Sequence, residues 1–340
     1  MPVLWREIQR QNFTNWHSLA LYLELDRATQ ERLIKAPSFP LNLPRRLAAK
    51  IVKHDLDDPI LKQFLPLQEE EEFAPGFFAD PVEDDSFLKG KRLLQKYRGR
   101  VLIVTTGRCA MNCRFCFRQH FPYGIDDKEF SEALLHIKGD PSISEVILSG
   151  GDPLSLSTER LSALCYSLQE IPHVKRLRFH TRFPIGIPER IDEKFLSLLA
   201  SLKLQSIFAL HVNCIQELDQ EIIDSLKPIQ RLGIPLVSQT VLLKGVNDST
   251  EALYRLFEFL IDRGIMPYYL HQLDRVQGAA RFEVEESRGI QLIEELRALL
   301  PGYAVPRYVK EVPHAPSKAP VVSCNQRLAT KGHREGLGSE

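Results

Sequence analysis

From about residue 100 onward, short apolar runs alternate with amphipathic stretches. Six runs, 101–106, 145–149, 176–180, 206–211, 236–241 and 266–271, have the length and apolar content of buried strands. The stretches between them repeat at helical spacing. Leu161, Leu164, Cys165 and Leu168 fall at i, i+3, i+4 and i+7, and Leu253, Leu256, Phe257, Leu260 and Ile261 do the same. Such alternation predicts an α/β fold with parallel strands and right-handed crossovers, with the chemistry on loops at the strand C-termini. A last helix is expected at about 284–300, leading into an extra strand within 303–309.

Residues 1–90 lack this rhythm and read as a helical or irregular extension. Residues 16–23 have helical character, Pro37, Pro40 and Pro44 punctuate the next stretch, and the acidic run 68–72 reads as a solvated face. The expected organisation is this extension, a main unit over 91–330, and a frayed tail over 331–340.

Composition narrows the function classes. The 340 residues include 44 Lys plus Arg and 44 Asp plus Glu, a formal charge of zero. That balance gives no bulk attraction for nucleic acid or an anionic membrane. No apolar stretch reaches the roughly 18 residues of a membrane span, and the N-terminus lacks the basic-then-apolar layout of a secretion signal. A cytoplasmic location is the expectation. Six cysteines are too few for a disulfide scaffold. Cys165, Cys214 and Cys324 are isolated and read as small apolar residues.

The other three, Cys109, Cys113 and Cys116, fall within eight residues directly after the first predicted strand. A structural zinc site closes on four ligands; only His120 could supply the fourth, at a spacing unlike that of zinc motifs. A cubane iron–sulfur cluster held by three thiolates keeps one iron open to an outside ligand. A second motif, Ser149-Gly150-Gly151-Asp152-Pro153, ends the next predicted strand. Its glycines allow close backbone approach, and its carboxylate could hold an ammonium. Together the two motifs resemble those of the radical S-adenosylmethionine (SAM) enzymes.

The resemblance narrows, over nearly the whole chain from about residue 75, to the lysine 2,3-aminomutase family. It is carried by 113–120 (CRFCFRQH), 149–154 (SGGDPL), 239–248 (QTVLLKGVND), 267–274 (PYYLHQLD), 302–306 (GYAVP) and 316–318 (PSK). The run CRFCFRQHFPY and the PSK loop are similar to the bacterial branch that supplies β-lysine for modifying elongation factor P. The resemblance implies a partial (β/α)6 barrel, a [4Fe-4S] cluster on Cys109, Cys113 and Cys116, and SAM held by Ser149, Gly150, Gly151 and Asp152. It implies pyridoxal 5'-phosphate carried as an imine on Lys318. Removing an unactivated hydrogen from C3 of lysine is beyond protein acids and bases, hence a radical initiator. An amine does not migrate readily unless it is conjugated to such a ring.

The resemblance implies substrate contacts as well. Arg118 matches the guanidinium that grips the lysine carboxylate, and Asp274 and Glu311 match the paired acids that take its distal ammonium. Gln239 and His211 match cofactor contacts, and Lys96, Tyr97 and Arg100 resemble the cluster that grips the pyridoxal phosphate. That trio lies upstream of the first predicted strand, so reaching the site would require the chain to wrap over the barrel mouth. The loop before Lys318, 312–317, reads VPHAPS where the family is typically glycine-rich. Phe115 and Glu311 point to the factor-modifying branch. The implied partners are L-lysine, an electron donor, and elongation factor P with its ligase. Free β-lysine production for catabolism or osmolyte synthesis, a non-catalytic iron–sulfur or zinc module, and a radical RNA-modifying enzyme remain as alternatives.

Overall fold

The computed structural model of the chain describes residues 4–123 and 130–323. Nine strands form one sheet in chain order: β1 Leu93–Tyr97, β2 Arg100–Thr106, β3 Glu145–Gly150, β4 Arg176–Thr181, β5 Gln205–His211, β6 Leu236–Val241, β7 Ile265–His271, β8 Arg307–Lys310 and β9 Ala319–Pro320. Strands β2 to β8 pair in parallel, and β1 and β9 add antiparallel edges. No pairing between β1 and β9 closes the sheet among the described residues, so the barrel is partial.

The six predicted strands are present with ends within a residue or so of expectation, because each is a short run whose apolar residues, such as Ile103, Leu148, Phe179, Phe208, Leu236 and Ile265, bury into the core. Helices Ser131–Gly139, Thr158–Gln169, Glu193–Ser201, Gln220–Arg231, Thr250–Ile261 and Glu286–Leu299 fill the intervals. Four begin on side-chain caps, Ser157, Asp192, Asp219 and Ser249, which accept otherwise orphaned backbone N–H groups. In the core, Phe179 of β4 stacks on Phe208 of β5 at 4.8 Å, and Phe195 meets both edge-on.

Strand β1 has no counterpart among the predicted runs. Arg98-Gly99, with Gly99 at φ +78°, turns the chain tightly enough to pair Tyr97 with Arg100. Lys96, Tyr97 and Arg100 therefore reach the site from a hairpin at the sheet edge, without wrapping over the mouth.

The extension contains five short helices, and it grips the cysteine loop. Gln9 Nε2 and Asn42 Nδ2 donate to the Cys109 carbonyl at 3.2 and 3.3 Å, and Asn12 Nδ2 donates to that of Ala110 at 2.8 Å. The Arg114 N–H reaches the Gln63 carbonyl at 2.9 Å. The acidic run is not a solvated face throughout: Glu70 is buried and pairs with Arg114 and Arg281. Two cations, Arg114 buried and Arg281 half-buried, draw it inward where its neighbours stay out. Cys165 and Cys214 are buried as expected; Cys324 and the 331–340 tail lie outside the described residues.

Candidate active site

The C-terminal ends of the parallel strands surround a cavity of about 330 Å³, within the range of cofactor sites. Cys109, Cys113, Cys116, Ser149, Gly150, Gly151, Asp152, Arg118, His211, Gln239, Lys96, Tyr97, Arg100, Asp274, Glu311 and Lys318 all line it. Lys96 and Lys318, 222 positions apart in the chain, thus share one chamber.

The cysteine loop is locked to the glycine pair. Gly151 N donates to the Thr106 carbonyl at 2.6 Å and Asp152 N to that of Arg108 at 2.8 Å. A Cβ on Gly151 would lie 2.3 Å from the Arg108 carbonyl oxygen, and Gly150 sits at φ +107° against Val104. Both glycines are required by the loop packed on them.

Burial raises the pKa of all three thiols, Cys116 to about 11; Asp152 and the other two thiols add to it at Cys109, Cys113 adds to it at Cys116, and Arg182 opposes it at Cys113. Such sulfurs ionise when a cationic centre compensates them. Among the described residues, no three Cys, His, Asp or Glu side chains converge where a single metal ion could sit. His120 is exposed and is not among the cavity-lining residues. Three thiols lining one cavity are the donor set that a cubane cluster with one open iron uses. Arg182 Nη1 donates to Cys113 Sγ at 2.7 Å, and its Nη2 is held by Gln63 and Glu217 at 2.7 and 2.8 Å.

Asp152 requires a correction. Its carboxylate accepts from Leu154 N, Thr181 Oγ1, Arg182 N and Phe183 N, at 2.7 to 3.0 Å. Those donors occupy both oxygens, so the side chain clasps the β4 loop instead of reaching for an ammonium. Burial still pushes its carboxyl up to about 6, against these bonds.

At the other wall, Lys318 Nζ contacts Glu311 Oε2 at 2.5 Å, and the Tyr97 hydroxyl donates to Oε1 at 2.5 Å. Burial works against ionisation of Glu311, but Lys318 and the Tyr97 bond hold its pKa below the ordinary value. The β8–β9 hairpin, with Lys310 opposite Ala319, brings this pair together. In the loop between, His314 takes the left-handed conformation, φ +62°, that a glycine would otherwise supply. Its ring lies 3.0 Å from Glu83 and packs on Phe87. Asp274 is half-buried nearby, its pKa pushed up to about 6 by desolvation despite Lys318.

Arg118 donates through Nε to Asp84 at 2.7 Å, and Lys96 pairs with the same carboxylate at 2.8 Å while donating to the Val82 carbonyl. Asp84 is 2% exposed; desolvation opposes its ionisation, yet Arg118 and Lys96 keep its pKa low. Lys96 thus makes two contacts to the protein at the cavity wall. Arg100 lies over the Tyr97 ring at 4.6 Å.

Several cavity residues had been given no role by the sequence. His180 lies at the C-terminal end of β4 and His271 ends β7 as His211 ends β5, and burial keeps all three neutral, His211 at about 3. The strand-end rule that selects His211 also finds the other two. Gln239 Nε2 meets His180 Nδ1 at 3.2 Å, while His180 Nε2 is buried without a partner, as a ligand contact would be. A register shift between Ser238 and Gln239 makes Tyr268 the extra residue in β7. That bulge lets adjacent Tyr268 and Tyr269 both face the cavity, which a regular strand forbids.

An open parallel barrel, with a three-cysteine loop after its first parallel strand and a glycine pair after the next, defines a radical SAM protein; residues 103–257 match the Radical SAM superfamily. The chain is 41% identical over 300 residues to the L-lysine 2,3-aminomutase of Escherichia coli, covering 86% of this chain and 87% of that one. The Haemophilus influenzae enzyme of that name is 38% identical, covering 92% and 94%. That of Clostridium subterminale is 32% identical, covering 94% and 77%. This chain belongs to the L-lysine 2,3-aminomutase family of radical SAM isomerases. The family implies a [4Fe-4S] cluster and SAM, and the three cavity-lining thiols and the orphaned His180 nitrogen suit them. No helix among the described residues is long and apolar enough to cross a membrane.

Proposed function

We propose that the protein converts L-lysine to β-lysine with a [4Fe-4S] cluster, SAM and pyridoxal phosphate bound in the one cavity. One observation carries this reading: the chamber that takes in the three thiols also takes in Lys318, Arg118, Asp274 and Glu311. When bound, cluster and SAM supply a carbon radical, and pyridoxal phosphate supplies a ring into which an unpaired electron can spread.

The residues of the chain do the rest. Cys109, Cys113 and Cys116 hold the cluster. The Gly150-Gly151 backbone and Ser149 form the SAM wall, with Asp152 fixing the β4 loop beside it. Lys318 binds the pyridoxal aldehyde, Arg100 with Tyr268 and Tyr269 offers charge and ring surface to that cofactor, and Gln239 and His211 line the passage between. Arg118, oriented through Nε by Asp84, presents its remaining N–H groups to the substrate carboxylate. Asp274 and Glu311 receive the distal ammonium, and Lys318 Nζ now holds the place on Glu311 that this ammonium would take. Two acids select a long diamino substrate, because a shorter one leaves a buried carboxylate unpaired.

The product is proposed to serve a ligase that attaches it to elongation factor P; free β-lysine release is the alternative. Borohydride reduction of protein loaded with pyridoxal phosphate, then peptide mapping, tests the central assignment. The label is expected on Lys318, and Lys318→Ala should lose label and turnover together. A label elsewhere would refute it.

A further inference from the structure

Gln63 directly follows helix Pro59–Lys62 of the extension and is wholly buried. Its amide fills all four of its hydrogen-bonding positions. Nε2 donates to the Pro59 carbonyl at 2.9 Å and to Glu217 Oε1 at 3.0 Å, while Oε1 accepts from Arg182 Nη2 at 2.7 Å and from Asn213 Nδ2 at 2.9 Å. An amide so engaged has nothing left for a substrate, and neither Gln63 nor Glu217 lines the central cavity.

What Gln63 holds is Arg182. That guanidinium is buried and lies over the Phe64 ring at 5.2 Å. Its Nη2 is shared between Gln63 and Glu217, which leaves Nη1 pointed at Cys113 Sγ, 2.7 Å away. Glu217 is itself fixed, accepting from Asn213 N and Cys214 N at 3.1 Å. Gln63 meets the same loop a second time, because its carbonyl accepts from Arg114 N, one residue past Cys113, at 2.9 Å. One side chain of the extension thus orients the donor, and its own backbone anchors the loop that carries the sulfur.

An N–H donated to a ligating sulfur stabilises the reduced, more negative state of an iron–sulfur cluster and so raises its reduction potential. Resting on the reading that Cys113 holds a [4Fe-4S] cluster, we propose that Gln63 is a positioning residue that, with Glu217, clamps Arg182 onto the Cys113 sulfur and thereby sets the potential of that cluster. Gln63 touches neither substrate nor cofactor; it acts through Arg182.

The test is an EPR-monitored redox titration of anaerobically reconstituted full-length protein. A midpoint is read from the loaded fraction, so incomplete iron uptake by a variant does not hide it. Arg182→Met removes the donor and should lower the equilibrium constant for reduction at least about tenfold, a fall of about 59 mV for one electron. Gln63→Leu leaves the donor unseated, and its midpoint should fall between wild type and Arg182→Met. In the double variant the loss of Gln63 should add nothing to that of Arg182, because the one works through the other. Asn12→Ala is the matched control: Asn12 Nδ2 holds the Ala110 carbonyl of the same loop at 2.8 Å but touches no sulfur, so iron uptake can fall while the midpoint stays that of wild type. An unshifted midpoint in Gln63→Leu, additive shifts in the double variant, or an equal shift in Asn12→Ala would overturn the proposal. Wild-type protein with no reducible cluster would instead overturn the functional reading beneath it.

Discussion

Gly151→Ala is the sharpest structural probe of how the cysteine loop is placed. Its new Cβ would meet three backbone atoms: the Arg108 oxygen at 2.3 Å, and the Arg108 nitrogen and Thr106 oxygen at 2.8 Å. Ordinary contact begins at 3.4 Å, so the loop leading into Cys109 must retreat by about 1 Å, and no flexible side chain can absorb the clash. Overpacking of this kind costs about 1–3 kcal/mol. A shift of about 1 Å at a reacting centre can cost about 100-fold in rate. The expected outcome is a lowered melting temperature, reduced iron content after reconstitution, and turnover down about 100-fold. Gly139→Ala, with nothing within 4 Å of the added carbon, is the matched control and should change none of these. A Gly151→Ala protein with wild-type melting, iron and turnover would refute the claim that this glycine seats the loop.

The opposite wall gives further outcomes. Arg118→Lys should raise the KM for lysine about tenfold or more, since an ammonium lacks the planar fork that keeps Nε on Asp84 and offers paired N–H groups to a substrate carboxylate; unchanged kinetics would count against that contact. Asp274 has a pKa of about 6, above the ordinary 3.8. Its proton therefore stabilises the fold below about pH 4, and that contribution is lost as pH rises through about 6. Ammonium binding needs the ionised form, so the KM for lysine should fall with rising pH up to about 6 and then level off. Asp274→Asn should weaken binding and flatten that profile; a wild-type KM independent of pH from 5 to 7 would argue against the role. His314→Gly removes a left-handed non-glycine residue but also its contacts with Glu83 and Phe87. The melting temperature should therefore move little, whereas a large fall would mean that those contacts hold the Lys318 loop.

Much of the fold was legible because its strands are short runs with buried apolar residues, set between helices of clear apolar periodicity, and the motifs fell where strand ends put them. Asp84 was not legible: its importance comes from two cations, Lys96 and Arg118, brought to it from distant elements. Glu70 misled for the same reason, since a local acidic run gives no sign that Arg114 and Arg281 will bury one member. Asp152 was legible as a site residue but not in its task, because backbone donors such as Arg182 N have no sequence signature. Tyr268 needed the bulge in β7, and a register shift cannot be read from side-chain alternation alone.

The central claim is that the three thiols and Lys318 serve one reaction. Its most direct measurement is the fate of L-lysine under strict anaerobiosis with reconstituted protein, reductant, SAM and pyridoxal phosphate. The expected result is β-lysine that appears only when all three additions are present. Intact lysine after prolonged incubation, with iron, SAM and pyridoxal phosphate all demonstrably bound, would contradict it.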